Sequence, residues 1–296
     1  LGIFDKIRNR PDGEESEMSF LDHLEELRWH LIRSALIVLV GMIFIFVNIK
    51  DVTDKIILAP YAPDFPTYTY LCQIDESVCM RLNQATKDAN GNTLLSSDNI
   101  ILQATDPSEQ FTRAIMIAMI GGLVLAFPYL IFELWRFVKP GLSPEERRGT
   151  TGFIIYTSLL FFTGILFAYF IVSPMTIVFL ANFSISDQVV QIWKLGDVIS
   201  LVVMLCLAGG LLFEMPMLAF FLAKLGIVNA QFLSHYRRHS IVIMFVVAGI
   251  LTPSPDIFTQ ISVAVPLIIL YEISIVVVRS VARNKAKALA KANAES

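Results

Sequence analysis

Apolar residues gather into six blocks separated by polar stretches: Leu36–Val47, Ile115–Phe132, Phe153–Phe183, Val198–Phe213, Ile241–Leu251 and Ile257–Tyr271. Runs near or above about 18 residues read as membrane-spanning helices. Extended to their flanking breakers, the blocks predict helices at about 29–49, 111–136, 149–179, 197–225, 239–252 and 257–278. The fifth is short: its clean apolar run spans roughly 17 Å at 1.5 Å per residue, against a hydrocarbon core of about 30 Å. Pro128, Pro174, Pro216 and Pro266 fall inside predicted helices and predict bends. The helices are too unequal in length for an inverted repeat. The expected fold is an all-α polytopic membrane protein, one membrane domain over 1–296 with six bent transmembrane helices.

The segments between the blocks differ in kind. Residues 50–110 are rich in Asp, Asn, Thr, Ser and Pro, and are too long for a simple connection, so they predict a folded cap. Asn90-Gly91-Asn92 marks a turn within it, and Pro60, Pro63 and Pro66 predict an extended start. Residues 137–148 and 226–238 are short polar loops, preceded by the segment 1–28 and followed by the tail 279–296.

Composition agrees with this pattern and excludes a soluble enzyme: 55% of residues are hydrophobic and 17% charged, with a mean hydropathy of +0.64, where soluble domains carry about 25% charge. The net charge of −3 says little, but its distribution orients the chain. With the N-terminus inside, 17 of the 23 lysines and arginines fall in 1–28, 137–148, 226–238, 279–296 or the adjoining helix ends. The positive-inside rule therefore predicts both termini in the cytoplasm. The first 22 residues are polar and acidic, so the first apolar run reads as a retained helix and not as a cleaved signal. Cys72 and Cys79 both fall in the outside segment, where an oxidising compartment permits a disulfide between them without demanding it.

Glu214 is the sharpest chemical feature, a carboxylate deep in an apolar helix beside Pro216. Such a group costs about 3 kcal/mol on permissive insertion scales and by default marks function. The bland alternative is a structural hydrogen bond to another helix. Glu272 and Glu133 read as end-of-helix residues, the latter in an i,i+3 pair with Arg136. Before the first helix, Phe20, Leu24, Leu27 and Leu31 share one helical face while Glu25 and Glu26 lie on the other. Glu145 and Glu146 form a second acidic group on the same side of the membrane. Two such groups are either solvated interfacial charge or a carboxylate site for guanidinium ligands. His235 and His239 have i,i+4 spacing but only Tyr236-Arg237-Arg238 between them, which argues against a metal. No nucleophile elbow, phosphate loop or cysteine cluster is present in the sequence, and no cofactor is expected.

Several of these motifs resemble one family when taken in order. They are His23-Leu24-Glu25-Glu26-Leu27-Arg28, Phe127-Pro128, Glu145-Glu146-Arg147-Arg148, Phe213-Glu214-Met215-Pro216, and Leu251-Thr252-Pro253 with Asp256, Phe258 and Gln260. Together they are similar to the TatC family, the core subunits of the twin-arginine protein translocase, from about Ser19 to Arg279. The resemblance implies a glove-shaped, concave six-helix receptor in the bacterial inner membrane. It would bind twin-arginine signal peptides of folded cargo and assemble, in an oligomeric complex among membrane lipids, with single-helix TatA- and TatB-type subunits. The proton-motive force would drive transport. It further implies that Glu26, Arg28, Glu146 and Arg148 serve signal-peptide binding and that Glu214 and Gln260 are intramembrane polar positions near a partner. Pro60 and Asp256 would be functionally sensitive positions outside. The long 50–110 segment and residues 1–18 depart from the family pattern. Two other classes stay open on the residues alone. An ion-coupled solute transporter using Glu214 predicts substrate flux by this chain by itself. An intramembrane hydrolase using Glu214 or Glu272 as an acid lacks a paired carboxylate, an activated nucleophile and a metal set.

Overall fold

The computed structural model describes residues 20–62, 65–74, 102–139, 150–183, 185–186, 192–252 and 257–295. Helix α1 (Phe20–Val47) starts where the Phe20, Leu24, Leu27 repeat begins, nine residues ahead of the expected start at 29. It ends at Asn48, whose side-chain amide donates to the Phe44 carbonyl at 2.8 Å. The chain then turns through α2 (Ile49–Val52), a π-helical turn (Thr53–Ile57), a 3₁₀ turn (Ala59–Tyr61) and α3 (Pro66–Ile74). Pro60 and Pro66 do not hold the chain extended as expected, and Pro63 lies outside the described residues. Pro66 instead opens α3, where its missing N–H costs nothing.

The long helices follow: α4 (Glu109–Val138), α5 (Thr150–Phe167), α6 (Ser173–Asn182), α7 (Leu195–Phe213), α8 (Met215–Lys224), α9 (Ala230–His235), α10 (Arg237–Leu251) and α11 (Ile257–Glu295). Residues 279–295, expected as a tail after the last helix, continue α11 without a break. Among the described residues, five stretches are long and apolar enough to cross a membrane: Leu27–Val47, Glu109–Val138, Gly152–Ala181, Leu195–Lys224 and Thr259–Arg283. Helix α10, at 15 residues, is about 22 Å long and falls short of that length.

Helix α1 packs on α4, α4 on α5 and α7, α5 on α7, and α8 and α10 on α11. Much of the outer surface is apolar, as at Leu36, Val40, Phe44, Val242, Ile250 and Val276. Such a surface suits contact with lipid chains, and it supplies no force that holds helices together there. Close backbone approach takes that role at two crossings. A Cβ on Gly122 of α4 would lie 2.5 Å from the Met42 amide of α1, and one on Gly41 would lie 2.9 Å from the Gly122 carbonyl. On the other side of the bundle, a Cβ on Gly209 of α7 would lie 2.9 Å from the Gly164 carbonyl and 2.6 Å from Ala168 Cβ.

The prolines act unequally. Helices α4 and α11 continue through Pro128 and Pro266. Pro174 follows a π-helical turn, Ala168–Val172, and Pro216 follows a break at Glu214. Pro174 cannot bond the carbonyl four residues back, that of Phe170. Thr67 of α3 supplies the missing donor through its hydroxyl.

That bond belongs to a cap over one end of the bundle, the cap end. Tyr68 donates to the Pro60 carbonyl at 2.7 Å and Tyr169 to the Ile56 carbonyl at 2.7 Å. Tyr61 sets its ring edge-on to Trp193 at 5.8 Å. Burial pushes the Tyr61 and Tyr68 hydroxyls above the ordinary tyrosine range, so both remain donors at any physiological pH. A two-residue parallel pairing joins β1 (Leu102–Gln103) to β2 (Trp193–Lys194), with Leu102 opposite Trp193. Beneath it, Glu109 accepts from the Thr105 amide at 2.7 Å and from the Gly196 amide at 3.0 Å. Helix α7 has no side-chain cap of its own, so the carboxylate of a neighbouring helix satisfies its first turn. Arg113, one turn along α4, donates to Ser200 of α7.

Gly122→Leu should force α1 away from α4 and lower stability by roughly 2 kcal/mol or more. Gly152→Ala should be nearly silent, because its added Cβ would meet only Tyr156 at 3.9 Å. Thermal unfolding midpoints of the purified variants in detergent check the pair. Glu109→Ala should lower the midpoint as well, and local hydrogen exchange should rise in the first turn of α7 before it rises elsewhere.

Candidate functional site

Glu26 and Arg28 lie on the first turns of α1, at the end of the bundle opposite the cap. Arg28 is exposed and its guanidinium sits 5.6 Å over the ring of Trp29, itself half exposed. The side chain of Glu26, and all of Glu146 and Arg148 in the segment between α4 and α5, lie outside the described residues. The first turns of α1 are tied to the last turns of α4 by a pair that the sequence reading missed. The His30 Nδ1 atom of α1 meets a carboxylate oxygen of Glu133 on α4. Tyr129, one turn earlier on α4, donates to the other oxygen at 2.6 Å. Phe137 closes the pocket edge-on at 6.2 Å from the His30 ring. His30 is 6% exposed and Glu133 1%. Glu133 is therefore no interfacial partner of Arg136, as its i,i+3 spacing suggested; the helix rotation points it into the α1–α4 contact. Its link to Tyr129 was readable as an i,i+4 pair, but the 103 residues between His30 and Glu133 leave no local trace.

The same end is closed on the other side by Lys224 of α8. Its ammonium stands 5.7 Å over the Trp135 ring and 5.1 Å over that of Phe220, while Trp135 packs on Phe153 at 4.5 Å. The ends of α4, α5 and α8 are thereby held together next to α1. Glu272 of α11 bonds Arg237 of α10 at 2.8 Å rather than lying free among headgroups as expected.

Glu214 forms the joint between α7 and α8 and is 7% exposed. Its register follows from three contacts. Gly209 meets Ala168, Gly210 meets Phe161, and Phe213 meets Gly164, so α5 and α7 run antiparallel. One turn past Gly210 on α7 is Glu214; one turn before Phe161 on α5 are Thr157 and Ser158. All three carry a buried oxygen, Oε1, Oγ1 and Oγ respectively, with no hydrogen-bond partner among the described residues. Buried polar atoms are ordinarily bonded, and leaving one unpaired costs about 1–3 kcal/mol. This level of the bundle has spare capacity for a polar group from outside. A separate groove of about 210 Å³ opens where the α7–α8 joint meets α10 and α11, lined by Leu212, Met215, Ile243, Met244 and Tyr271 among others but not by Glu214.

The remaining positions divide. Gln260 donates to the Phe245 carbonyl at 3.1 Å, tying α11 to α10 across Gly249. Pro60 is fully buried in the cap, where its carbonyl receives Tyr68. Asp256 and Cys79 lie outside the described residues, as does the side chain of Cys72 on α3. Among the described residues no group of three His, Cys, Asp or Glu could hold a metal ion.

Comparison with known proteins covers this whole arrangement. The family model described as Sec-independent protein translocase protein (TatC) matches residues 22–266, from the start of α1 to Pro266 in α11. The Sec-independent protein translocase protein TatC of Blattabacterium sp. subsp. Periplaneta americana is 36% identical over 273 residues, which is 92% of this chain and 99% of that one. TatCy of Bacillus subtilis is 32% identical over 275 residues, 93% and 94% of the two chains. A crystal structure described as the twin-arginine translocase receptor TatC superposes with a TM-score of 0.59 at 29% identity, covering 88% of this chain and 99% of that one. With a matched family model across most of its length and relatives above 30% identity along nearly all of it, this chain belongs to the TatC family of Sec-independent protein translocase proteins.

Proposed function

We propose that this protein is the core receptor of a twin-arginine translocase in the bacterial inner membrane. In this reading α10 is a sixth crossing and both termini are cytoplasmic. The chain binds twin-arginine signal peptides of folded cargo and nucleates a site with TatA- and TatB-type subunits, driven by the proton-motive force. The observation that carries the reading is the superposition on a solved twin-arginine translocase receptor along nearly the whole chain.

The chemistry of the two arginines fits the acidic positions. A guanidinium offers five N–H groups in a planar fork and engages carboxylates through paired hydrogen bonds, which an ammonium cannot reproduce. Glu26 stands on the first turns of α1, and Glu146 in the segment that leaves α4. The His30–Glu133 contact fastens α1 to the last turns of α4, so one peptide could meet carboxylates from both. Arg28 and Arg148 stand in the same two motifs as these carboxylates and belong to the same signal-peptide site. Glu214 has a different task. Its free oxygen, level with Thr157 and Ser158, offers a hydrogen bond to a polar side chain on a partner helix, where lipid offers none.

Glu26→Ala and Glu146→Ala should each weaken a twin-arginine peptide by about 1.5–3 kcal/mol, the range for a hydrogen bond to a charged group. Titration of the detergent-solubilised chain with the peptide and its twin-lysine counterpart, in low and high salt, checks this; undiminished affinity in both variants would remove these carboxylates from the site. Glu214→Ala should bind the peptide normally yet lose the small subunits on co-purification, and their full recovery would defeat the assignment.

A further inference from the structure

Helix α1 is fastened to the rest of the protein by one narrow stripe. Its less exposed positions recur at His30, Ser34, Val38, Gly41, Met42 and Ile45, and the residues between them are exposed. Gly41 lies against Gly122 and Ile45 against Gly121, both in the half of α1 nearer the cap. Toward the other end the stripe offers only Val38, Ser34 and then His30. Beyond His30 the next turn carries Glu26. His30 is thus the last anchor before the position proposed to read the signal.

The consequence follows from lever length. Glu26 stands 15 residues from Gly41, or about 22 Å along the helix, so a swing of about 10° at the glycine crossing would displace it by ~4 Å. A paired hydrogen bond to a guanidinium tolerates errors on the order of 0.5 Å. The glycine crossing alone cannot meet that tolerance. His30 and Glu26 are i,i+4 neighbours, so fixing the ring of one fixes the rotation and tilt of the turn that bears the other.

We propose that His30, Glu133 and Tyr129 form a positioning unit for signal recognition: they hold the first turns of α1 at the tilt and rotation that present Glu26. The inference rests on the receptor reading of Glu26. None of the three is a ligand-contacting residue in this account. Tyr129 occupies one carboxylate oxygen of Glu133 and His30 the other, so Glu133 has no oxygen aimed at a peptide. Tyr129 fixes the carboxylate, the carboxylate fixes the imidazole, and the imidazole fixes the helix. Burial of His30 and Glu133 between two helices keeps water from replacing their link, which is why a polar pair can act here as a rigid stop.

The test is peptide affinity and arginine-over-lysine selectivity, measured on the full-length chain in detergent for His30→Ala, Glu133→Ala, the double variant, His30→Asn and Glu26→Ala. Each single alanine variant should lose about tenfold in affinity for the arginine peptide, equivalent to ~1.4 kcal/mol, and should lose selectivity with it. The double variant should be no worse than either single one, because the three residues act as one unit. His30→Asn, whose amide nitrogen takes the place of Nδ1, should recover most of the selectivity. If Glu133→Ala does not fold, Glu133→Gln keeps the shape and is measured in its place, with a smaller loss expected. A drop in thermal midpoint with unchanged affinity and selectivity would reduce the pair to helix adhesion and overturn the proposal. Should Glu26→Ala lose binding while His30→Ala and Glu133→Ala do not, the receptor reading survives and the positioning role fails. If Glu26→Ala binds like the parent, the reading itself fails, and the positioning role with it.

Discussion

In a bilayer, the surface of one apolar helix is as well accommodated by lipid as by another helix, and the structure depends on that constraint. Helices here are joined where their backbones come unusually close, where polar atoms find one another, and where apolar side chains interlock, as between α8 and α11. The α1–α4 contact uses the first two devices, Gly41 on Gly122 near the cap and His30 on Glu133 at the far end. The α5–α7 contact uses the first but not the second: Gly164 and Gly209 touch, while Thr157, Ser158 and Glu214 further along stay unbonded. The same two helices are therefore tightly joined near one end and chemically unfinished toward the middle.

Irregular backbone is admitted only where something answers its orphaned groups. The π-helical turn before Pro174 frees the Phe170 carbonyl, and Thr67 from the cap takes it up. The cap thus does structural work inside the bundle as well as over it, since without α3 that carbonyl would face apolar surroundings. Glu109 does the same for α7, lending a carboxylate to a helix whose own preceding residue, Lys194, cannot cap it. Both repairs come from segments distant in sequence, which makes the geometry at the cap end cooperative.

This explains what was legible beforehand. Long apolar blocks announce spans because hydrophobic length is a local property, and the five longest were placed to within a few residues at most of their ends. The motifs around Glu26 and Glu214 could be recognised because they are contiguous. Partnerships across the bundle were not. Glu133 looked like half of a pair with Arg136 because spacing is all that a sequence displays; the depth of burial that sent it to His30 depends on where α1 lies. Proline was also a poor guide. Pro128 and Pro266 leave their helices continuous, whereas Pro174 and Pro216 sit beside a π-turn and a break. The residue alone does not reveal whether a neighbour will accept the freed carbonyl. The early start of α1 and the long continuation of α11 were missed for a related reason: charged helical turns outside the membrane look like loops when only hydropathy is read.

Glu109, Glu133 and Glu214 separate by how many of their oxygens are already used. Glu109 gives one oxygen to Thr105 and the other to Gly196; Glu133 gives one to His30 and the other to Tyr129. Each is fully committed to holding helices, and each lies near an end of the bundle. Glu214 alone among them keeps a buried oxygen without a partner, and it does so at the break in its helix, with two unbonded hydroxyls on the facing helix. A protein under pressure only for stability would fill that level with aliphatic side chains, because an apolar replacement removes the desolvation cost at no loss of bonding. On the reading proposed above, the three polar groups at this level await a partner, and within a membrane such a partner carries its polar group on an otherwise apolar body, as a single transmembrane helix does.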